Sequence, residues 1–183
     1  INTPGLVNVG EAVGTDIGVV TLTQSGGTTF ADTVAAVTVT LTDTTGTIAF
    51  NGNLTVTTAL TTASEDYAVS ILGGSNTIAG TTTFLNTGVV TLGNAGGDST
   101  TFTAGLVATA PGALNIAGTV AANTSTSTMA LGDGDTNVAV TANTTVGGTA
   151  TGLIDIGDAT LVDGATLTVG TGIANPINLD KVT

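Results

Sequence analysis

The chain has 183 residues with no cysteine, no histidine and no tryptophan, and its single basic side chain, Lys181, faces thirteen acids for a formal net charge of −12. Each gap removes a class of function. Without cysteine there is no disulfide framework and no thiolate metal site. Without histidine the commonest general acid–base group is missing, and with it the Ser-His-Asp and Cys-His arrangements, so the expectation is a protein that is not an enzyme. One lysine cannot neutralise a row of phosphates, which excludes nucleic acid as a partner and argues against an anionic membrane surface. No apolar run reaches the ~18 to 20 residues a membrane-spanning helix needs, so no membrane insertion of this segment is expected. With four Phe and one Tyr as its aromatics, any core must be narrow.

What remains is rich in Thr, Val, Gly, Ala and Asn, and poor in the helix formers Glu, Gln, Lys and Arg. Short β-branched runs recur: VVTLTQ, AAVTVTLT, NLTVTTAL, VVTLG, NVAVTA, LIDI and ATLTVG. Gly, Asn or Asp marks nearly every junction between them. The fold class is therefore all-β. The tripeptide TTF stands at residues 28–30, 82–84 and 100–102, separations of 54 and 18, the first three times the second. Steps of 18 from Phe30 reach Ile48, Asp66, Phe84, Phe102, Val120, Val138 and Ile156, apolar at all but Asp66. That spacing predicts a repetitive β-solenoid, a parallel β-helix of about 18 residues per coil, with coils stacked ~4.8 Å apart. About ten such coils would form a short rod. Turn signals every 8–12 residues also suit an antiparallel β-sandwich, the alternative. The repeat body spans residues 28–171, preceded by an extended capping or contact segment at 1–27 and followed by a linker or contact strand at 172–183.

TTFLNTGVVTLGN and GALNIAGTV resemble the β-strand-repeat passengers of bacterial autotransporters and large surface adhesins, and the Thr/Ala/Gly-rich surface-layer proteins are similar in texture. The resemblance implies an exported, non-catalytic role at the bacterial cell surface and transfers no functional residue. The opening INTPG has neither an initiating Met nor a leader pattern, which is the expectation for a processed chain or a fragment.

Two acidic turns invite a chemical reading. LGDGDTN places Asp133, Asp135 and Asn137 at alternate positions, offering the hard oxygens that Ca²⁺ takes. The EF-hand pattern then fails, with Val138 at the glycine position and Thr144 at that of the bidentate Glu. A calcium site here would need further donors, Asp155 or Asp158 in a neighbouring coil; otherwise the stretch is a plain turn. GNAGGDS, with Asp98 alone among glycines, reads as a turn. Carboxylate pairs that glycoside hydrolysis would need (Glu65 with Asp66, Asp133 with Asp135, Asp155 with Asp158) lack aromatic platforms beside them. Thr rows at 38–42, 55–58, 124–128 and 166–168 suggest a hydroxyl-and-methyl array of the kind that binds ice, or simply outward strand positions. Asn53, Asn123 and Asn143 head N-x-Ser/Thr triplets that a Thr-rich chain produces by chance.

The functional expectation is a β-repeat scaffold of a surface adhesin or autotransporter passenger. Its alternative is a self-assembling subunit of an extracellular filament or surface layer, joined to copies or neighbouring repeats through its ends and bridged by Ca²⁺ between acidic surfaces. Ice binding is a minor third.

Overall fold

The computed structural model describes residues 1–183, the side chain of Thr15 excepted. Nineteen strands and no helix make up the described chain, which winds as a β-solenoid of about eight turns. The first coil holds β1 (Val7–Val9) and β2 (Val13–Leu22), the second β3 (Thr28–Phe30) and β4 (Val34–Leu41), and the third β5 (Thr47–Phe50) and β6 (Leu54–Thr62). The fourth is β7 (Ala68–Ile71), β8 (Ser75–Ile78) and β9 (Thr82–Thr83); the fifth is β10 (Val90–Leu92), β11 (Ser99–Phe102) and β12 (Leu106–Ala108). β13 (Ala113–Ala122) and β14 (Met129–Leu131) form the sixth, β15 (Asn137–Gly148) and β16 (Ile154–Ile156) the seventh. β17 (Ala159–Leu161), β18 (Leu167–Val169) and β19 (Ile177–Leu179) close the eighth.

Every ladder is parallel, so the antiparallel sandwich is excluded. Three faces result. On the first, Val7, Thr28, Ile48, Val69, Val90, Leu114, Val138 and Ala159 stand in one column. The second column runs Val34, Leu54 in the early coils and Thr100, Val120, Val146, Val169 in the later ones. The third runs Val20, Val39, Leu60, and resumes as Thr82, Leu106, Met129, Ile154, Ile177. In coils one to three a single bent strand serves the second and third faces, with a register irregularity at the bend. In coils six and seven the single strand instead serves the first and second.

The coil length corrects the expectation of 18. First-face partners are 20 to 24 residues apart, and the turns average about 22. The three TTF tripeptides lie in β3, β9 and β11, on three different faces. Their spacing is therefore not a coil length at all. Segments 1–27 and 172–183 contribute the first and last coils, with β1 on β3 and β19 on β16.

Alternation explains each strand. In VAAVTVTL of β4, Val34, Ala36, Val39 and Leu41 are buried while the residues between them face out. The result is a continuous narrow core of Val, Ile and Leu, in which the four Phe pair across neighbouring coils. Phe30 stacks on Phe50 with centroids 4.9 Å apart, and Phe84 meets Phe102 edge-on at 6.0 Å. Polar side chains that point inward are bonded, except that the Thr82 hydroxyl and Asn86 Oδ1 have no partner among the described residues. Asn76 accepts from Leu54 N–H at 2.9 Å and donates to Gly73 O at 2.6 Å, which replaces ladder bonds that the corner interrupts. The Tyr67 hydroxyl donates to Leu41 O at 2.9 Å and accepts from Ala63 N–H at 3.0 Å. Burial pushes the phenol above its ordinary 10.0.

Corners bring backbones together. A Cβ built on Gly73 would lie 2.5 Å from Gly52 O and 2.6 Å from Asn53 Cα in the coil below, whereas one on Gly74 would meet nothing within 4 Å. Eleven of the thirteen acids lie outside the strands, leaving Asp16 and Asp155 as the acids within them. The broad faces are thus nearly free of charge.

Candidate functional site

The LGDGDTN stretch forms the corner between β14 and β15. Gly132 has φ of 68°, a left-handed conformation that a residue with a side chain adopts only with strain. Asp133 Oδ1 accepts from Asp135 N–H at 3.0 Å and from Thr136 N–H at 2.9 Å. The Thr136 hydroxyl turns inward and donates to Thr109 O at 2.8 Å, fastening the turn to the coil below. Asn137 Oδ1 accepts from the Thr160 hydroxyl of the next coil at 3.2 Å. The three proposed calcium ligands are therefore engaged separately: Asp133 within its own turn, Asn137 along the ladder, and Asp135 exposed at the tip.

The structure divides the two further donors. Asp158 stands beside Asn137, since Val138 N–H donates to Asp158 O at 2.8 Å and Val138 pairs with Ala159. Asp155 is on the third face, where it accepts from Asn178 Nδ2 at 2.7 Å. Among the described residues no group of three or more acids is placed to hold a metal ion. What the arrangement does chemically is cap a turn. GNAGGDS does the same: Asp98 Oδ2 accepts from Asn94 N–H at 2.8 Å and Ala95 N–H at 2.9 Å. Glu65 and Asp66 are exposed on the corner that leads into Tyr67.

The sequon asparagines also have a structural task. Asn53, Asn123 and Asn143 accept, each at 3.0 Å, from the backbone N–H of Ser75, Thr149 and Thr166 in the following coil. They carry the ladder across corners where strand pairing lapses.

The Thr rows conspicuous in the sequence do not share a face. Thr38 and Thr40 are on the third, Thr55 and Thr168 on the second, and residues 124–128 form a corner. A wider set, which takes in Thr55 and Thr168, does line up. On the second face Ser75, Ser99, Thr119, Thr145 and Thr168 form one outward column, and Thr55, Thr77 and Thr101 form another beside it. Sequence reasoning missed these columns because unequal coil lengths hide them. The usable signal was local: SNT at 75–77 and STT at 99–101 place two hydroxyls on one side of a strand.

A shallow open groove of about 460 Å³ lies at the first coils, lined by Leu6, Asn8, Gly27, Thr29 and Thr47 among others. No charged side chain enters it. Nine of the thirteen exposed large apolar residues, among them Leu6, Val19, Ile177 and Val182, belong to the first and last coils, where the inward columns run off the stack.

Compared with protein-family models, with curated proteins and with solved structures, the chain matches none.

Proposed function

We propose that this chain is a non-catalytic structural element of an exported bacterial surface protein, the β-repeat scaffold of an adhesin or autotransporter passenger. The observation that carries the reading is the unbroken parallel stack. About eight coils at ~4.8 Å make a stiff body of roughly 40 Å whose stability is a sum of coil-on-coil contacts. Such a body adds reach, and lengthens by adding coils. Small, uncharged outward residues on the faces and acids at the corners suit exposure to water without self-pairing. The test is surface labelling: antibodies against the chain bind intact cells of the source organism, and proteinase K removes the signal. Labelling that requires permeabilised cells overturns the proposal.

A second reading, self-assembly into a filament or layer, is favoured by the apolar residues exposed on the first and last coils. Sedimentation of the purified chain in calcium and then in chelator separates the two. Particles that grow with concentration support assembly, and dispersal by chelator would add a bridging cation.

A further inference from the structure

The two hydroxyl columns of the second face form a grid. Along the axis their members recur at the strand spacing of ~4.8 Å, and across it, residues two apart on a strand stand ~6.6 Å apart. Eight hydroxyls occupy this grid: Thr55, Ser75, Thr77, Ser99, Thr101, Thr119, Thr145 and Thr168. Beyond Thr101 the second column continues as Ala121 and Gly147, both buried, the latter beneath Thr171, so its open part ends at Thr101.

The protein itself leaves these groups free. Among the described residues no hydrogen bond engages any of the eight hydroxyls, whereas on the third face Thr61 donates to Thr40 and Thr81 to Ala104 O, and on the first Thr91 accepts from Asn115. A hydroxyl both donates and accepts, so a free row of them can join a water network in either sense. The face also lacks charge through these coils, because the nearest acids, Asp98 and Asp163, are at corners. A carboxylate on the grid would hold its own hydration shell and would have to be desolvated against a solid. Threonine methyls fill the spaces between hydroxyls with apolar surface. The inter-coil ladder fixes every spacing before any partner arrives, so little ordering remains to be done on contact.

A rigid, neutral, two-dimensional array of free hydroxyls and methyls is complementary to a neutral periodic lattice of hydrogen-bonding oxygens. We propose that the second face binds ice, with Thr77 and Thr101 at the centre of the contact. This is independent of the scaffold role, which survives if the face proves inert.

The experiment measures ice recrystallisation and single-crystal growth in the purified chain, with far-UV circular dichroism and melting as checks on folding. The wild type keeps crystals small and facets them. Thr77→Lys with Thr101→Lys abolishes both effects at equal concentration, while Thr40→Lys with Thr61→Lys on the third face leaves them unchanged. Thr77→Val with Thr101→Val, which keeps shape and strand preference, serves if the lysine pair does not fold, and it weakens the effect several-fold. Wild-type chain that leaves crystals growing as in buffer overturns the proposal. So does equal loss in the second-face and third-face pairs.

Discussion

Gly73 and Gly74 are adjacent in sequence, and the coil stack assigns them opposite responses to the same substitution. In Gly73→Ala the new Cβ meets Gly52 O at 2.5 Å, Asn53 Cα at 2.6 Å and Asn53 N at 2.7 Å, all of them backbone atoms of the coil beneath. No rotamer relieves a backbone clash, so two coils must part at a corner where Leu72 N–H donates to Phe50 O at 2.8 Å and Ser75 N–H to Asn53 Oδ1 at 3.0 Å. Overpacking of this kind costs about 1–3 kcal/mol. In Gly74→Ala the Cβ enters open space and the backbone is outside the left-handed region, so the main effect falls on the unfolded chain. Restricting that chain stabilises the fold by about 0.4–1 kcal/mol. Restriction of the unfolded chain is common to both, so the neighbouring variants should differ by the overpacking alone, roughly 1–3 kcal/mol, with Gly73→Ala below wild type and Gly74→Ala above it. Urea unfolding followed by circular dichroism measures this, with the slope compared among the three proteins because coil-by-coil unfolding would change it. A Gly73→Ala midpoint at or above wild type, or a Gly74→Ala midpoint as low as that of Gly73→Ala, refutes the stacking geometry.

Two further outcomes follow from side chains already placed. Tyr67 has a raised phenol pKa in the folded state, so below the unfolded value of about 10 both states hold the proton and its contribution is intact. As pH rises above 10 the unfolded chain ionises first and stability falls; Tyr67→Phe should remove that alkaline component of the melting profile, while costing about 1–3 kcal/mol at neutral pH for the lost bond to Leu41 O and the unpaired Ala63 N–H. An alkaline slope unchanged in the variant contradicts the assignment. Asp133→Ala removes the acceptor for two turn N–H groups and should lower the melting temperature equally in calcium and in chelator, by the equivalent of about 1–2 kcal/mol. A loss seen in calcium alone would support the cation reading.

The all-β, parallel and solenoidal character was legible in the sequence because each strand obeys a local rule: apolar inward, small or polar outward, glycine or Asn at the corner. Coil length was not legible, for the same reason. TTF in β3, β9 and β11 meets that rule on three separate faces, so identical tripeptides mark equivalent environments and not equivalent positions. Stepping by 18 met apolar residues because inward sites are dense. Ile48 is on the first face, Phe102 on the second and Ile156 on the third. Corner lengths carry no periodic signal. The stretch from Leu92 to Ile116 spends 24 residues where that from Phe30 to Phe50 spends 20, and both return the chain to the same column. The roles of Asp133 and Asp98 as turn caps were readable from their glycine neighbours. The hydroxyl columns were not, because their members are brought together by ladders spanning 20 to 26 residues.

Fixed columns joined by corners of unequal length have a consequence for how such a chain is inherited. Selection acts on whether each strand returns to its place, and any stretch that leaves and rejoins the three columns satisfies it. Residues 69–89 are one such circuit, since Val69 and Val90 share a column. A duplication or loss of a whole circuit closes the stack again, while drift in the corners erases the likeness between copies. Lineages of this protein can therefore change in length by whole circuits and diverge in sequence until kinship is visible only in the stacking of the backbone.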